Sequence, residues 1–137
     1  TWADPSGLED DNLATARDML KAVTAVAAHP DLAPVASADH WRIDRRKGPH
    51  VLNSTNRLRN RWETLAAKTG YTDTARYCFA TVVRTASGRT LAVSVLGAPT
   101  SSSRFSDTAA LVRWAESVAT PEALEERRTS AIAGRTR

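Results

Sequence analysis

The chain has a single cysteine, Cys78, so no internal disulfide can form and none contributes to stability. That count leaves the redox compartment open. Cys78 sits between Tyr77 and Phe79 in an apolar run, where a buried structural thiol is expected. No apolar run approaches the roughly 18–20 residues that a helical membrane span needs. The first residue is Thr1, with no methionine and no leader-like segment, a start expected of a mature, processed or truncated product. No internal repeat is visible. Aromatic–basic interleaving and nucleic-acid motifs are both missing, so nucleic acid is not an expected partner.

The 137 residues, 42% hydrophobic and 25% charged, suit one compact domain or part of a larger one. The net charge of +4 and the pI near 9.8 owe much to Arg127, Arg128, Arg135 and Arg137. A solvated arginine-rich end accounts for this better than a surface built for an anionic polymer does.

Residues 1–12 read as a loop, with turn chemistry at Asp4-Pro5-Ser6-Gly7. Thr15-Ala16-Arg17-Asp18 opens a helix with a capping box, and Ala16, Met19, Leu20, Val23, Val26 and Ala27 recur at helical spacing. His29-Pro30 ends it, since a residue before proline avoids the helical region. An edge strand is expected near residues 38–44, a basic turn at 45–49 and a short strand at 50–53. Residues 57–63 are charged and expected to be exposed.

Strands are then expected at 65–72, 76–85 and 90–96, the second rich in aromatic and β-branched residues. Connections this short favour an antiparallel meander. A loop at 97–103 leads to a last helix with Phe105, Thr108, Leu111, Val112, Ala115 and Val118 as its stripe and Trp114 beside it. Pro121 marks its stop or restart. The fold class is α+β, helices on an antiparallel sheet. Two helices are expected to cover about one of the two sheet faces, so closing the core would take further elements.

Lys68-Thr69-Gly70 is the stretch with chemical content. On a strand beside a cleft, Lys68 offers a cation for a carboxylate or a developing anion, and Thr69 offers a hydroxyl donor. Gly70 removes a side chain so that a ligand backbone can approach. The backbone N–H of Tyr71 could donate to a carbonyl oxygen, as in an oxyanion hole. Taken alone, the tripeptide reads as an ordinary strand lysine. K-T-G is also the third signature of penicillin-binding enzymes and class A β-lactamases.

The flanks are more specific. Asp4-Pro5-Ser6-Gly7-Leu8, Thr15-Ala16-Arg17-Asp18, Asn53-Ser54-Thr55-Asn56-Arg57-Leu58, Ala67-Lys68-Thr69-Gly70-Tyr71-Thr72, Arg76-Tyr77-Cys78, Gly88-Arg89 and Val95-Leu96-Gly97-Ala98 follow in order. Together they closely resemble the distal half of the serine-type D-Ala-D-Ala carboxypeptidases, the low-molecular-weight penicillin-binding proteins of peptidase family S11. The resemblance implies a penicillin-binding-protein-like transpeptidase fold, with residues 1–120 as the distal part of the catalytic domain and 121–137 as a C-terminal tail. It implies removal of the terminal D-Ala of peptidoglycan pentapeptide through a serine acyl-enzyme, sensitivity to β-lactams, an extracytoplasmic location and no cofactor or metal. Lys68, Thr69 and Gly70 match the substrate-binding strand, the Tyr71 N–H an oxyanion donor, and Arg104 a basic residue that supports carboxylate binding.

One departure is large. No serine here has lysine three positions on, so the S-x-x-K nucleophile and base are absent from these residues. Ser54-Thr55-Asn56 spells S-x-N, yet it occupies the family's segment shortly before K-T-G and is read as a decoy. A companion chain carrying S-x-x-K and S-x-N is the expected partner, and this chain alone is expected to be inactive. The alternative is a non-catalytic module that binds cell-wall peptide.

Overall fold

The computed structural model describes residues 1–118; Pro121 and the arginine-rich end lie outside the described residues. The element order is α1 (Ala16–Ala28), α2 (Ala33–Ser37), β1 (His40–Arg45), β2 (Gly48–Asn53), β3 (Glu63–Thr72), β4 (Arg76–Arg84), β5 (Thr90–Ala98) and α3 (Ser103–Val118). β1 and β2 form a hairpin. Among the described residues β3-β4-β5 is an antiparallel meander with β3 and β5 at its edges.

The capping box is present: Asp18 N–H donates to Thr15 Oγ1 at 3.2 Å, and the Asp18 carboxylate accepts from the Thr15 N–H at 3.0 Å. The Thr15 N–H first, then the Thr15 hydroxyl, both donating to the carboxylate, hold the Asp18 carboxyl below its ordinary range. The helix then ends at His29, before Pro30.

The meander is packed on both faces, not one. Facing residues of an antiparallel pair project to the same side, so the register assigns each residue a face. Ala66 faces Val82 and Lys68 faces Ala80. Ala66, Ala80 and Val82 pack with Val23 of α1 and Ala36 of α2. Residues of the other parity on β4 include Phe79 and Val83. Val83 packs with Val93 and Val112, and the Phe79 ring meets Phe105 edge-on at 5.0 Å. Helices α1 and α3 therefore lie on opposite sides of the sheet.

Several sequence expectations shift. Trp62 is half-buried against Val83, Val93 and Val112, although residues 57–63 were expected to be exposed. β5 continues through Gly97 to Ala98. Gly97 adopts φ +71, which absorbs the register shift between Tyr77 and Phe79 and lets Ala98 pair with Tyr77. On α3 the buried residues are Arg104, Phe105, Thr108, Ala109 and Val112, whereas Leu111 and Trp114 are exposed. Cys78 is half-buried rather than buried: α1 covers β4 at Ala80 and Val82 but not at Cys78.

Candidate active site

Lys68-Thr69-Gly70 lies in the middle of β3, which is an edge of the meander. An edge strand turns half of its backbone N–H and C=O groups away from its partner. Alternation divides the side chains. Lys68 and Gly70 project to the α1 side beside Ala80 and Cys78, whereas Thr69 and Tyr71 project to the α3 side beside Phe79 and Tyr77.

A cavity of about 620 Å³ lies over the α1 face of the sheet, lined by Lys68 and Gly70 on β3, Cys78 and Ala80 on β4 and Leu96 on β5. Its opposite wall is the N-terminal loop, which contributes Trp2, Asp4 and Ser6. That loop is tied at both ends. The Thr1 amino group donates to the Leu13 carbonyl at 2.8 Å, and the Leu13 N–H donates back at 3.0 Å. Asp4 organises its interior, accepting from the Ser6 N–H at 2.8 Å and also from the Ser6 hydroxyl and the Asn12 amide. The Ser6 hydroxyl first, then Asn12, lowers the Asp4 pKa to about 2.

The Lys68 ammonium is exposed and donates to the Thr69 carbonyl. Tyr71 has the parity of Thr69, so its N–H points to the same side as that carbonyl. The Tyr71 hydroxyl donates to Asp73 at 2.8 Å, a bond that pushes its pKa up. The Tyr71 ring lies 4.4 Å from that of Tyr77. Gly70 has no unusual backbone, and a Cβ there would meet only Cys78 Cβ at 3.7 Å, an ordinary contact. Folding therefore does not require glycine at position 70.

Arg104, in the first turn of α3, is 8% exposed. Its Nη1 donates to the Gly70 carbonyl at 3.0 Å and the Cys78 carbonyl at 3.3 Å, and Nη2 to Ser101 Oγ at 3.3 Å. The guanidinium stacks over Phe105 at 4.8 Å and Tyr77 at 5.5 Å. Its Nε has no hydrogen-bond partner among the described residues. The structure thus brings Arg104 to Gly70 from the α3 side, while Lys68 approaches the same strand from the α1 side.

Sequence reasoning set Ser54-Thr55-Asn56 aside. In the fold Thr55 Oγ1 lies 2.7 Å from Thr69 Oγ1. Nothing in the sequence announces this contact, since Thr55 and Thr69 are 14 positions apart in the chain. Among the described residues no group of three or more His, Cys, Asp and Glu side chains is placed to hold a metal ion.

Comparison with known proteins bears on the family and the fold. Residues 1–100 match the peptidase S11 family model, described as D-alanyl-D-alanine carboxypeptidase. A D-alanyl-D-alanine endopeptidase of Pseudomonas aeruginosa is 31% identical over 120 residues, covering 84% of this chain and 38% of the relative. An Escherichia coli protein of the same name is 28% identical over the same shares. The crystal structure of a D-alanyl-D-alanine carboxypeptidase from Mycobacterium tuberculosis H37Rv superposes with a TM-score of 0.63 at 24% identity, covering 79% of this chain and 42% of that one. A cysteine-to-asparagine mutant of the DD-transpeptidase of Streptomyces strain K15 gives 0.68 at 21% identity, covering 76% and 43%. These two show the fold, a penicillin-binding-protein-like mixture of helices and antiparallel sheet. The chain spans about two fifths of the length of the relatives it matches. With K-T-G on an edge strand above a cavity and a family model matching residues 1–100, the chain belongs to peptidase family S11, the D-alanyl-D-alanine carboxypeptidases.

Proposed function

We propose that this chain supplies one wall of the active site of a serine-type D-Ala-D-Ala carboxypeptidase acting on peptidoglycan pentapeptide outside the cytoplasm. The observation that carries the reading is the position of Lys68-Thr69-Gly70 on a strand whose outer edge is unpaired among the described residues, with a cavity over the adjoining face of the sheet. An extended peptide can lie along such an edge and use its free backbone groups. The terminal carboxylate then sits at the free edge of β3, where the Lys68 ammonium reaches it from the α1 side and the Thr69 hydroxyl from the α3 side, and Arg104 adds positive charge behind Gly70. The Tyr71 N–H donates to the scissile carbonyl oxygen as it gains negative charge.

The nucleophile comes from an S-x-x-K serine on a companion chain or segment, because these 137 residues hold no such element. That serine attacks the carbonyl, D-Ala leaves as an amine, and water hydrolyses the ester. β-Lactams acylate the same serine.

The endopeptidase name of both curated relatives favours a second reading, cleavage of a cross-linked peptide with the same wall. The test uses the full-length protein with a D-Ala-D-Ala-ended pentapeptide, a cross-linked dimer and a fluorescent penicillin. Release of D-Ala with penicillin labelling, both reduced on the order of 100-fold by Lys68→Ala, supports the reading. Cleavage of the dimer alone shifts it to endopeptidase. Peptide binding with neither turnover nor label leaves a non-catalytic wall-binding module.

A further inference from the structure

The hydroxyls of Thr55 and Thr69 are 2.7 Å apart, yet the residues belong to different elements. Thr69 is on β3, and Thr55 is on the connection after β2. That connection is firmly held. The Ser54 N–H donates to the Asp39 carbonyl at 2.8 Å, and Ser54 Oγ accepts from the Asn56 N–H at 3.2 Å. Asn56, only 4% exposed, accepts from the Leu58 N–H at 2.8 Å and donates to Thr64 Oγ1 at 3.3 Å. Arg59 donates to the Asn56 carbonyl at 3.1 Å. A buried amide with both ends satisfied therefore pins the turn to β3, and the neighbouring Thr55 is held against Thr69.

Two adjacent hydroxyls can share a hydrogen bond in either direction. A carboxylate only accepts. When one sits at Thr69, the Thr69 proton must point to it, and the Thr69 oxygen is left to accept from Thr55. Successive bonds of this kind polarise one another, so the second hydroxyl strengthens the first as a donor. We infer that Thr55 is a positioning residue for Thr69: it donates to Thr69 Oγ1, fixes the side-chain rotamer and commits the Thr69 proton to a substrate carboxylate. The inference rests on reading Lys68-Thr69-Gly70 as the carboxylate-binding edge.

The test compares Thr55→Val and Thr55→Ser in the full-length protein. Thr55 is exposed, so valine there leaves the fold intact. Turnover is measured on a D-Ala-D-Ala-ended peptide and on its amidated analogue. The Thr69 rotamer is read from three-bond couplings to its methyl carbon. Loss of one hydrogen bond predicts a roughly five- to tenfold rise in KM for the free carboxylate with Thr55→Val, little change in kcat, and little change for the amide. Thr55→Ser restores the wild-type KM. Thr69 holds one rotamer in the wild type and in Thr55→Ser, and averages in Thr55→Val.

Wild-type KM and rotamer in Thr55→Val overturn the inference. So does a serine variant as impaired as the valine one. A wild-type protein inert toward the peptide defeats the functional reading instead. The rotamer comparison still decides the role of Thr55 in that case: release in Thr55→Val upholds it, and an unchanged rotamer removes it.

Discussion

Arg104 Nη1 donates to the Gly70 carbonyl at 3.0 Å across 34 positions of the chain, joining the first turn of α3 to the middle of β3. The same nitrogen reaches the Cys78 carbonyl on β4. A buried guanidinium here serves the backbone of the K-T-G strand before it serves any ligand. Removing it takes a charge-assisted donor from two carbonyls of the β3–β4 ladder and empties the buried space over Phe105 and Tyr77, which costs about 1–3 kcal/mol. Arg104→Ala should lower the urea midpoint accordingly. Arg104→Lys should lose much of the same stability, because an ammonium cannot span three acceptors as a planar fork does. Unchanged midpoints in both variants would mean that the carbonyls are satisfied without Arg104. Any effect of Arg104→Ala on KM has to be read beside this stability loss.

Phe79 is 1% exposed and faces Thr69 across the β3–β4 pair. Its edge contact with Phe105 fixes the spacing between β4 and α3. Phe79→Ala should destabilise by about 3–5 kcal/mol, the range for deleting a buried aromatic ring. Thermal unfolding followed by circular dichroism measures this, and a loss below about 1 kcal/mol would show that the packing around Phe79 collapses to refill the space.

Gly70→Ala separates folding from binding. The added methyl meets Cys78 Cβ at 3.7 Å, so stability should change by no more than about 0.5 kcal/mol. The methyl also enters the cavity lined by Lys68 and Cys78, where it should weaken binding of a D-Ala-D-Ala peptide about tenfold or more. Isothermal titration against the peptide checks the second half, and equal affinity would place the ligand elsewhere than over Gly70.

The Asp4 pKa is lowered to about 2 from an ordinary 3.8, so the unfolded loop binds the proton more readily than the folded one. Its contribution to loop order is complete above about pH 4 and disappears as pH falls through about 2. Trp2 fluorescence should report an acid step in that window. Asp4→Asn should remove the step, and a step that persists in this variant belongs to another group.

Much of the fold was legible because its determinants are local. Thr15 and Asp18 are three positions apart, and the meander is announced by β-branched runs separated by turns. The rest depends on distant partners. Periodicity on α3 identifies an apolar stripe but cannot say that the sheet meets Arg104 and Ala109 while leaving Leu111 and Trp114 in solvent. A buried arginine is readable only once the carbonyls of Gly70 and Cys78 are in place. The half-exposed Cys78 shows the same limit, since its cover depends on where α1 stops crossing β4. At the site, Lys68-Thr69-Gly70 is visible in the sequence and the role of Thr55 is not: its segment carries the family resemblance, but its S-x-N spelling reads as a decoy, and nothing local puts Thr55 against Thr69.

The edge position of β3 has one more effect. An edge strand with two alanines, Ala66 and Ala67, before its centre is a template for pairing with another copy of itself, and a lysine in the middle of such an edge opposes that by like-charge repulsion. Lys68 thus stands where a charge opposes such pairing. Neutralising it to probe chemistry would at the same time promote self-association, and an inactive Lys68→Ala sample is informative only if light scattering shows that it has remained dispersed.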